Sequence, residues 1–233
     1  MVDSNEIKLF PLNWGACGYY NDINSIRVYK LNNKVLRVLS LSCYRHALIS
    51  DEIIEFNTTH FKLIDEAYID FSKQESWLNR LEEFPNLIIT QTFSKAYGLA
   101  GIRLGVCYAS AKIISILNSV KPPYNVNKLS QNKALNRMIN QSEVALEIQQ
   151  IITARKNLEA ELQTINYISK IYESDANFIL IKVDDANLRY KQLIKKGIVI
   201  RNRTNQIGCE NCLRISVGTL EENRKLIQAL KEI

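Results

Sequence analysis

Hydrophobic positions along the chain fall into short compact runs, separated by stretches in which they recur every three or four residues. Residues 35–41, 61–64, 86–90 and 103–108 are runs rich in Val, Ile, Leu and Phe, the pattern of strands inside a sheet. Between them, 50–56 and 76–84 carry helical spacing; Ser76 is placed to cap the second, and Pro85 lies just beyond its end. Strand and helix in alternation predict an α/β architecture with a mainly parallel sheet. After Lys121-Pro122-Pro123 comes a tract from 128 to about 164 with Leu129, Leu135, Met138 and Ile139 near helical spacing, which predicts one long helix joining two lobes. Further on, 178–183, 198–201 and 213–217 read as strands, and 188–196 and 220–231 as helices, with Gly197 placed to end the first of these. The organisation expected is a large lobe over 1–140 and a smaller α+β lobe over 141–233.

Composition narrows the class. The chain has 233 residues, 46% hydrophobic and 23% charged, which is globular chemistry and excludes disorder. It has no apolar run of about 18 residues, so no membrane helix is expected. The acidic start Met1-Val2-Asp3-Ser4-Asn5-Glu6 lacks the apolar stretch of a secretory signal, so a soluble cytoplasmic protein is expected. The net charge is +6, but the basic residues are scattered among acids without interleaved aromatics, which argues against nucleic acid and for a solvated positive surface or one that meets acidic small molecules. Five cysteines, at 17, 43, 107, 209 and 212, read as reduced thiols. Cys209 and Cys212 have metal-like spacing, which Cys43 and His46 could complete. With no second such pair, buried or loop thiols and no metal are expected.

The chemistry concentrates in Thr92-Phe93-Ser94-Lys95-Ala96-Tyr97-Gly98-Leu99-Ala100-Gly101-Ile102-Arg103-Leu104-Gly105 and in Asp65-Glu66-Ala67-Tyr68. A lysine that captures a carbonyl needs a pocket that disfavours its charge. A hydroxyl and a guanidinium beside it suit a phosphate. Asp65 follows a predicted strand, at the carboxyl edge where ligands collect in open α/β sheets, and a carboxylate there suits a pyridinium nitrogen. From spacing alone the favoured reading of these residues is a loop lysine, a helix cap and a surface ion pair.

Taken together, DEAYIDF (65–71), TFSKAYGLAGIRLG (92–105), PYNVN (123–127), SDANFIL (174–180), GIVIRNR (197–203) and CLRISVG (212–218) resemble the fold-type I pyridoxal-phosphate aminotransferases, and among them the histidinol-phosphate aminotransferases. The likeness runs from about residue 50 to the end and is fainter over 10–50. It implies the fold-type I transferase fold, pyridoxal 5'-phosphate as cofactor, and amino transfer between histidinol phosphate and 2-oxoglutarate or glutamate in histidine biosynthesis, in a cytoplasmic homodimer. It implies that Lys95 forms the internal aldimine and shuttles the proton between the substrate α-carbon and the cofactor C4′ carbon. Asp65 would hold the ring nitrogen, Tyr68 the phenolic oxygen, Ser94 with Arg103 the phosphate, and Trp14 would stack on the ring. Arg214, supported by Arg201, would take the substrate anion. For Trp14 a core or surface role, and for Arg201 a solvated strand end, remain open.

Relatives in that family carry upstream a Gly-Ser-Asp phosphate loop and a tyrosine that reaches the neighbouring subunit, so the chain is expected to be an N-terminally shortened copy with an incomplete large-lobe sheet. Where the family has an asparagine beside the phenolic oxygen, this chain reads Ser42-Cys43-Tyr44-Arg45-His46, with His46 a candidate donor in its place. Two other readings therefore stand beside the aminotransferase: a non-catalytic fragment of the fold, and a phospho-amino-acid decarboxylase that shares its lysine and arginine motifs.

Overall fold

The computed structural model describes residues 61–233 and, upstream of them, the backbone of two strands, Ile26–Leu31 (β1) and Lys34–Ser40 (β2). The expected helix over 50–56, Trp14, Cys17, Cys43 and His46 lie outside the described residues. The chain divides into two compact units, Met1–Ile69 with Lys73–Ile139, and Asp70–Ser72 with Asn140–Ile233.

In the first unit, β2 is followed by Lys62–Asp65 (β3), Leu87–Thr92 (β4) and Gly105–Ala109 (β5), in a five-stranded sheet ordered β1-β2-β3-β4-β5. The β2-β3-β4 core is parallel, with Asp65 beside both Ser40 and Thr90, and an antiparallel strand flanks it on each side. Parallel cores edged in this way are common in doubly wound sheets. Alternation along β4 sends Leu87 and Ile89 into a cluster with Ile64, Trp77 and Phe84.

The helical segment expected over 76–84 is a 3-10 helix, Trp77–Glu83. Ser76 does cap it, its hydroxyl accepting from Leu78 N at 3.0 Å. Pro85 disfavours helical backbone at Phe84, which is extended at φ −128°, ψ 92°, so the turn ends there.

Helix α1 (Ala111–Val120) lies between β5 and Lys121-Pro122-Pro123; α2 is Lys128–Ile139 and α3 Gln141–Leu162. The single long helix expected over 128–164 is thus two, broken at Asn140 (φ −92°, ψ 46°), a residue type whose side chain competes with helical hydrogen bonds. The apolar positions of α2 face outward. Leu129, Leu135, Met138 and Ile139 are exposed, while Ser130 and Ala134 are buried. Small residues let α2 approach the backbone of the 95–103 loop, where Ser130 Oγ donates to Ile102 O at 3.4 Å and Arg137 Nε to Tyr97 O at 3.2 Å.

The second unit is a four-stranded antiparallel sheet of Ile168–Tyr172 (β6), Phe178–Val183 (β7), Arg201–Asn202 (β8) and Cys212–Ser216 (β9), ordered β6-β7-β9-β8. Helices Ala186–Lys195 (α4) and Leu220–Lys231 (α5) join α3 in covering it. Leu158 and Leu162 of α3, Ile179 and Ile181 of β7, Leu193 of α4, Leu213 and Ile215 of β9 and Leu230 of α5 form one core. Gly197, at φ +76°, closes α4: its N–H bonds Ile194 O and the next N–H, of Ile198, bonds Leu193 O. Thr219 and Glu222 form a reciprocal capping box at the start of α5. Among the described residues no helix is long and apolar enough to cross a membrane, and no three His, Cys, Asp or Glu side chains gather as metal ligands. Cys209 and Cys212 are buried thiols.

Candidate functional site

Because β3 and β4 are parallel, their carboxyl ends open at one edge of the sheet. The antiparallel β5 begins there, so the Thr92–Gly105 excursion leaves and returns at a single point. Asp65 is the last residue of β3; Tyr68 follows three residues on; Ser94 and Lys95 leave β4; Arg103 precedes β5. The sheet thus brings Asp65, Tyr68, Ser94, Lys95 and Arg103 to one edge.

Asp65 is 8% exposed. Its Oδ1 accepts from Ala67 N at 3.1 Å, and its carboxyl also meets the Thr90 hydroxyl. Burial pushes its pKa above the usual 3.8, as does the nearby charge of Glu66. The Ala67 hydrogen bond, the neighbouring Thr90 hydroxyl and the Lys95 charge oppose the rise without cancelling it. The Lys95 amine stands 5.3 Å from the Tyr68 ring centroid, within cation–π range. The Lys95 backbone is turned by Gly98, at φ +68°, whose N–H donates to Lys95 O at 3.0 Å.

The base of the excursion is pinned: Phe93 N donates to Leu104 O at 3.2 Å, Thr92 Oγ1 to the same carbonyl at 3.3 Å, and Ser94 N to Thr92 Oγ1 at 3.1 Å. Arg103 is exposed and left-handed (φ 53°, ψ 45°), with Nη1 donating to Ala100 O at 3.3 Å. A left-handed non-glycine residue costs about 1–2 kcal/mol, and such residues cluster at functional sites.

In the second unit, Arg201 of β8 and Arg214 of β9 are directly opposed across the antiparallel ladder, on one face of the sheet. The Arg214 guanidinium lies 4.9 Å from the Phe178 ring centroid. Like charges placed opposite each other cost stability, and an anion between the two forks would remove that cost. The geometry adds two residues that the sequence motifs did not single out, Glu66 and Thr90. Glu66 sits inside DEAYIDF, but its burial depends on a strand register that no local pattern reveals.

The sequence profile described as "Aminotransferase class I and II" matches residues 51–230. The chain is 61% identical over 171 residues to a histidinol-phosphate aminotransferase of Christiangramia forsetii, covering 73% of this chain and 49% of that one. It is 54% identical over 203 residues to the enzyme of that name from Flavobacterium johnsoniae, covering 86% and 58%. The chain therefore spans about half the length of the curated relatives it matches. Among solved structures, histidinol-phosphate aminotransferase from Clostridium acetobutylicum superposes with a TM-score of 0.78 at 24% identity, covering 84% of this chain and 63% of that one. A decarboxylase from Sulfurospirillum multivorans gives 0.73 at 25%, covering 84% and 61%. The fold is that of the fold-type I pyridoxal-phosphate-dependent transferases, and the chain belongs to the class I and II aminotransferase family.

Proposed function

We propose that the chain serves the histidinol-phosphate aminotransferase reaction, moving an amino group between histidinol phosphate and 2-oxoglutarate with pyridoxal 5'-phosphate as cofactor. The observation that carries this reading is the grouping at one sheet edge of a buried carboxyl, Asp65, with the Lys95 amine 5.3 Å from the Tyr68 ring. That donor set fits the cofactor group by group: carboxylate for ring nitrogen, phenol for phenolic oxygen, amine for carbonyl, hydroxyl and guanidinium for phosphate. Relatives at 54% and 61% identity carry the aminotransferase name, whereas the superposed decarboxylase is 25% identical, which favours amino transfer over decarboxylation.

When bound, pyridoxal phosphate supplies an electron-poor ring that takes up the electron pair released at the substrate α-carbon. Asp65 keeps a proton on the ring nitrogen. Tyr68 donates to the phenolic oxygen. Ser94 and Arg103 hold the phosphate, and Trp14 is assigned to the ring face. Lys95 anchors the cofactor carbonyl and then moves the proton between the substrate α-carbon and the C4′ carbon. Arg214 and Arg201 hold the substrate phosphate in one half-reaction and the dicarboxylate in the other. We further read the protein as cytoplasmic and as a homodimer; the exposed apolar side chains on α1 and α2 support the dimer.

The test is a titration of the purified chain with pyridoxal phosphate, following the visible absorbance band, with Lys95→Ala alongside. A saturable band in the wild type that the variant lacks is expected, together with 2-oxoglutarate-dependent consumption of histidinol phosphate. A folded chain without the band would leave an aminotransferase fold that does not hold the cofactor.

A further inference from the structure

Glu66 follows Asp65 directly and is 2% exposed. Its N–H donates to Thr90 O at 2.8 Å, extending the β3–β4 ladder one residue past the strand, and the alternation turns its side chain away from Asp65. There the carboxylate collects three donors: the Ser76 hydroxyl at 2.6 Å and Gln91 Nε2 at 3.0 Å on one oxygen, and Trp77 N at 2.7 Å on the other. Ser76 and Trp77 close the segment that begins at Glu66 and carries Tyr68. Gln91 lies on β4, four residues before Lys95 along the same strand and its exit. A carboxylate this deeply buried is costly unless its acceptors are filled, and charge-assisted bonds to three separate points make a stiff junction.

We propose that Glu66 is a positioning residue of the cofactor site: its carboxylate clamps both ends of the Tyr68 segment to β4, the strand that delivers Lys95, and so sets where the Tyr68 phenol stands relative to the Lys95 amine. This rests on the reading above that Tyr68 meets the cofactor. Glu66 itself touches neither cofactor nor substrate; it acts through Tyr68.

A residue that acts through Tyr68 must lose its effect when the Tyr68 hydroxyl is gone, whereas a residue that only supports the fold weakens binding equally in both backgrounds. The experiment is therefore a double-mutant cycle in the full chain, measuring pyridoxal phosphate affinity from the visible band. In the Tyr68 background, Glu66→Ala is expected to weaken binding about tenfold, the usual scale for removing a residue that orients a ligand-binding group. In the Tyr68→Phe background the same change is expected to cost about twofold or less. Equal losses in both backgrounds, or a folded Glu66→Ala chain that binds like the wild type, would overturn the proposal. Should Glu66→Ala fail to fold by circular dichroism, Gln91→Leu, which cuts only the β4 end of the clamp, enters the same cycle. A loss confined to the Tyr68 background then supports the clamp, and equal losses overturn it.

Glu66→Gln supplies the conservative arm. Its carbonyl can accept from Trp77 N, and its amide can donate to Gln91 once that amide turns over, with the Ser76 hydroxyl accepting. Affinity within about threefold of wild type is expected; a loss equal to alanine's would assign the effect to charge and overturn the positioning role. A wild-type chain with no band would remove the cofactor reading itself, while a wild-type band with additive variants removes only the role of Glu66.

Discussion

Asp65 carries its carboxyl where water is scarce, and its proton affinity reflects that. With its folded-state pKa raised above the unfolded 3.8, the native chain holds more protons than the unfolded chain in the window just above that value. The contribution of Asp65 to the stability of the cofactor-free chain is therefore expected to be fullest below 3.8 and to decline as pH rises through its folded-state value. It runs against the opposite slope from Asp184, Glu222 and Glu232, whose carboxyls are held below their usual range. Asp65→Asn should flatten that decline, as measured by urea unfolding across the window, while weakening pyridoxal phosphate binding. A difference between wild type and Asp65→Asn that does not shrink as pH rises over that interval would contradict this account of Asp65. That Asp65 and Lys95 stand at strand ends was legible from the apolar runs before them. The contributions of Thr90 and Glu66 were not, because each depends on which residue of β4 lies opposite which residue of β3.

Strands β8 and β9 show what an element imposes on its side chains. Leu213 and Ile215 are locked into the core, so register leaves Arg214 on the other face, opposite Arg201. Replacing one arginine should relieve repulsion. Arg201→Gln is expected to raise stability by a few tenths to about 1 kcal/mol in low-salt, phosphate-free buffer. Inorganic phosphate should then raise the Tm of the wild type more than that of the variant. Equal phosphate shifts, followed by differential scanning fluorimetry, would separate the pair from anion binding. Strand β7 and helix α5 were legible, coinciding with 178–183 and 220–231, and β9 lies within one residue of the run at 213–217. Strand β8 shares only Arg201 with the run at 198–201, and β6 was not marked by any run. Helix α2 was not. Its apolar spacing is real, but it faces outward because close approach to the 95–103 loop requires Ser130 and Ala134 on the inner side. Periodicity identifies an apolar face without saying what lies against it.

For the whole molecule, alternating strands and helices were enough to indicate the α/β class. The antiparallel strands at both sides of the first sheet left no mark in the sequence, since a buried run looks alike in either direction. The outward apolar face adds a further expectation. Ile116, Val120, Tyr124, Leu129, Leu135 and Ile139 are all exposed on α1, α2 and the turn between them, with Tyr124 98% exposed. In the proposed homodimer a second copy would cover this row. Sedimentation velocity should show concentration-dependent dimers, and Leu129→Asp, at a site 82% exposed, should shift them to monomers with little effect on stability. A monomer at all concentrations would assign that face to something other than a second copy.

The pinned base of the Thr92–Gly105 excursion also bears on the order of folding. Closing a short antiparallel hairpin takes about 1–10 μs, whereas the parallel pairing of β3 with β4 must first close the connection from Asp65 to Leu87. The loop holding Ser94, Lys95 and Arg103 can therefore take shape from its own neighbours, ahead of the sheet that later brings Asp65 alongside. The two sides of the site are thus expected to form at different times, the lysine loop locally and the carboxylate side when the β3 strand docks, an order that φ-value analysis of the two loops would check. Substitutions at the base, such as Gly105→Ala, whose added methyl would meet Gln91 O at 3.1 Å, should slow folding itself rather than merely hasten unfolding.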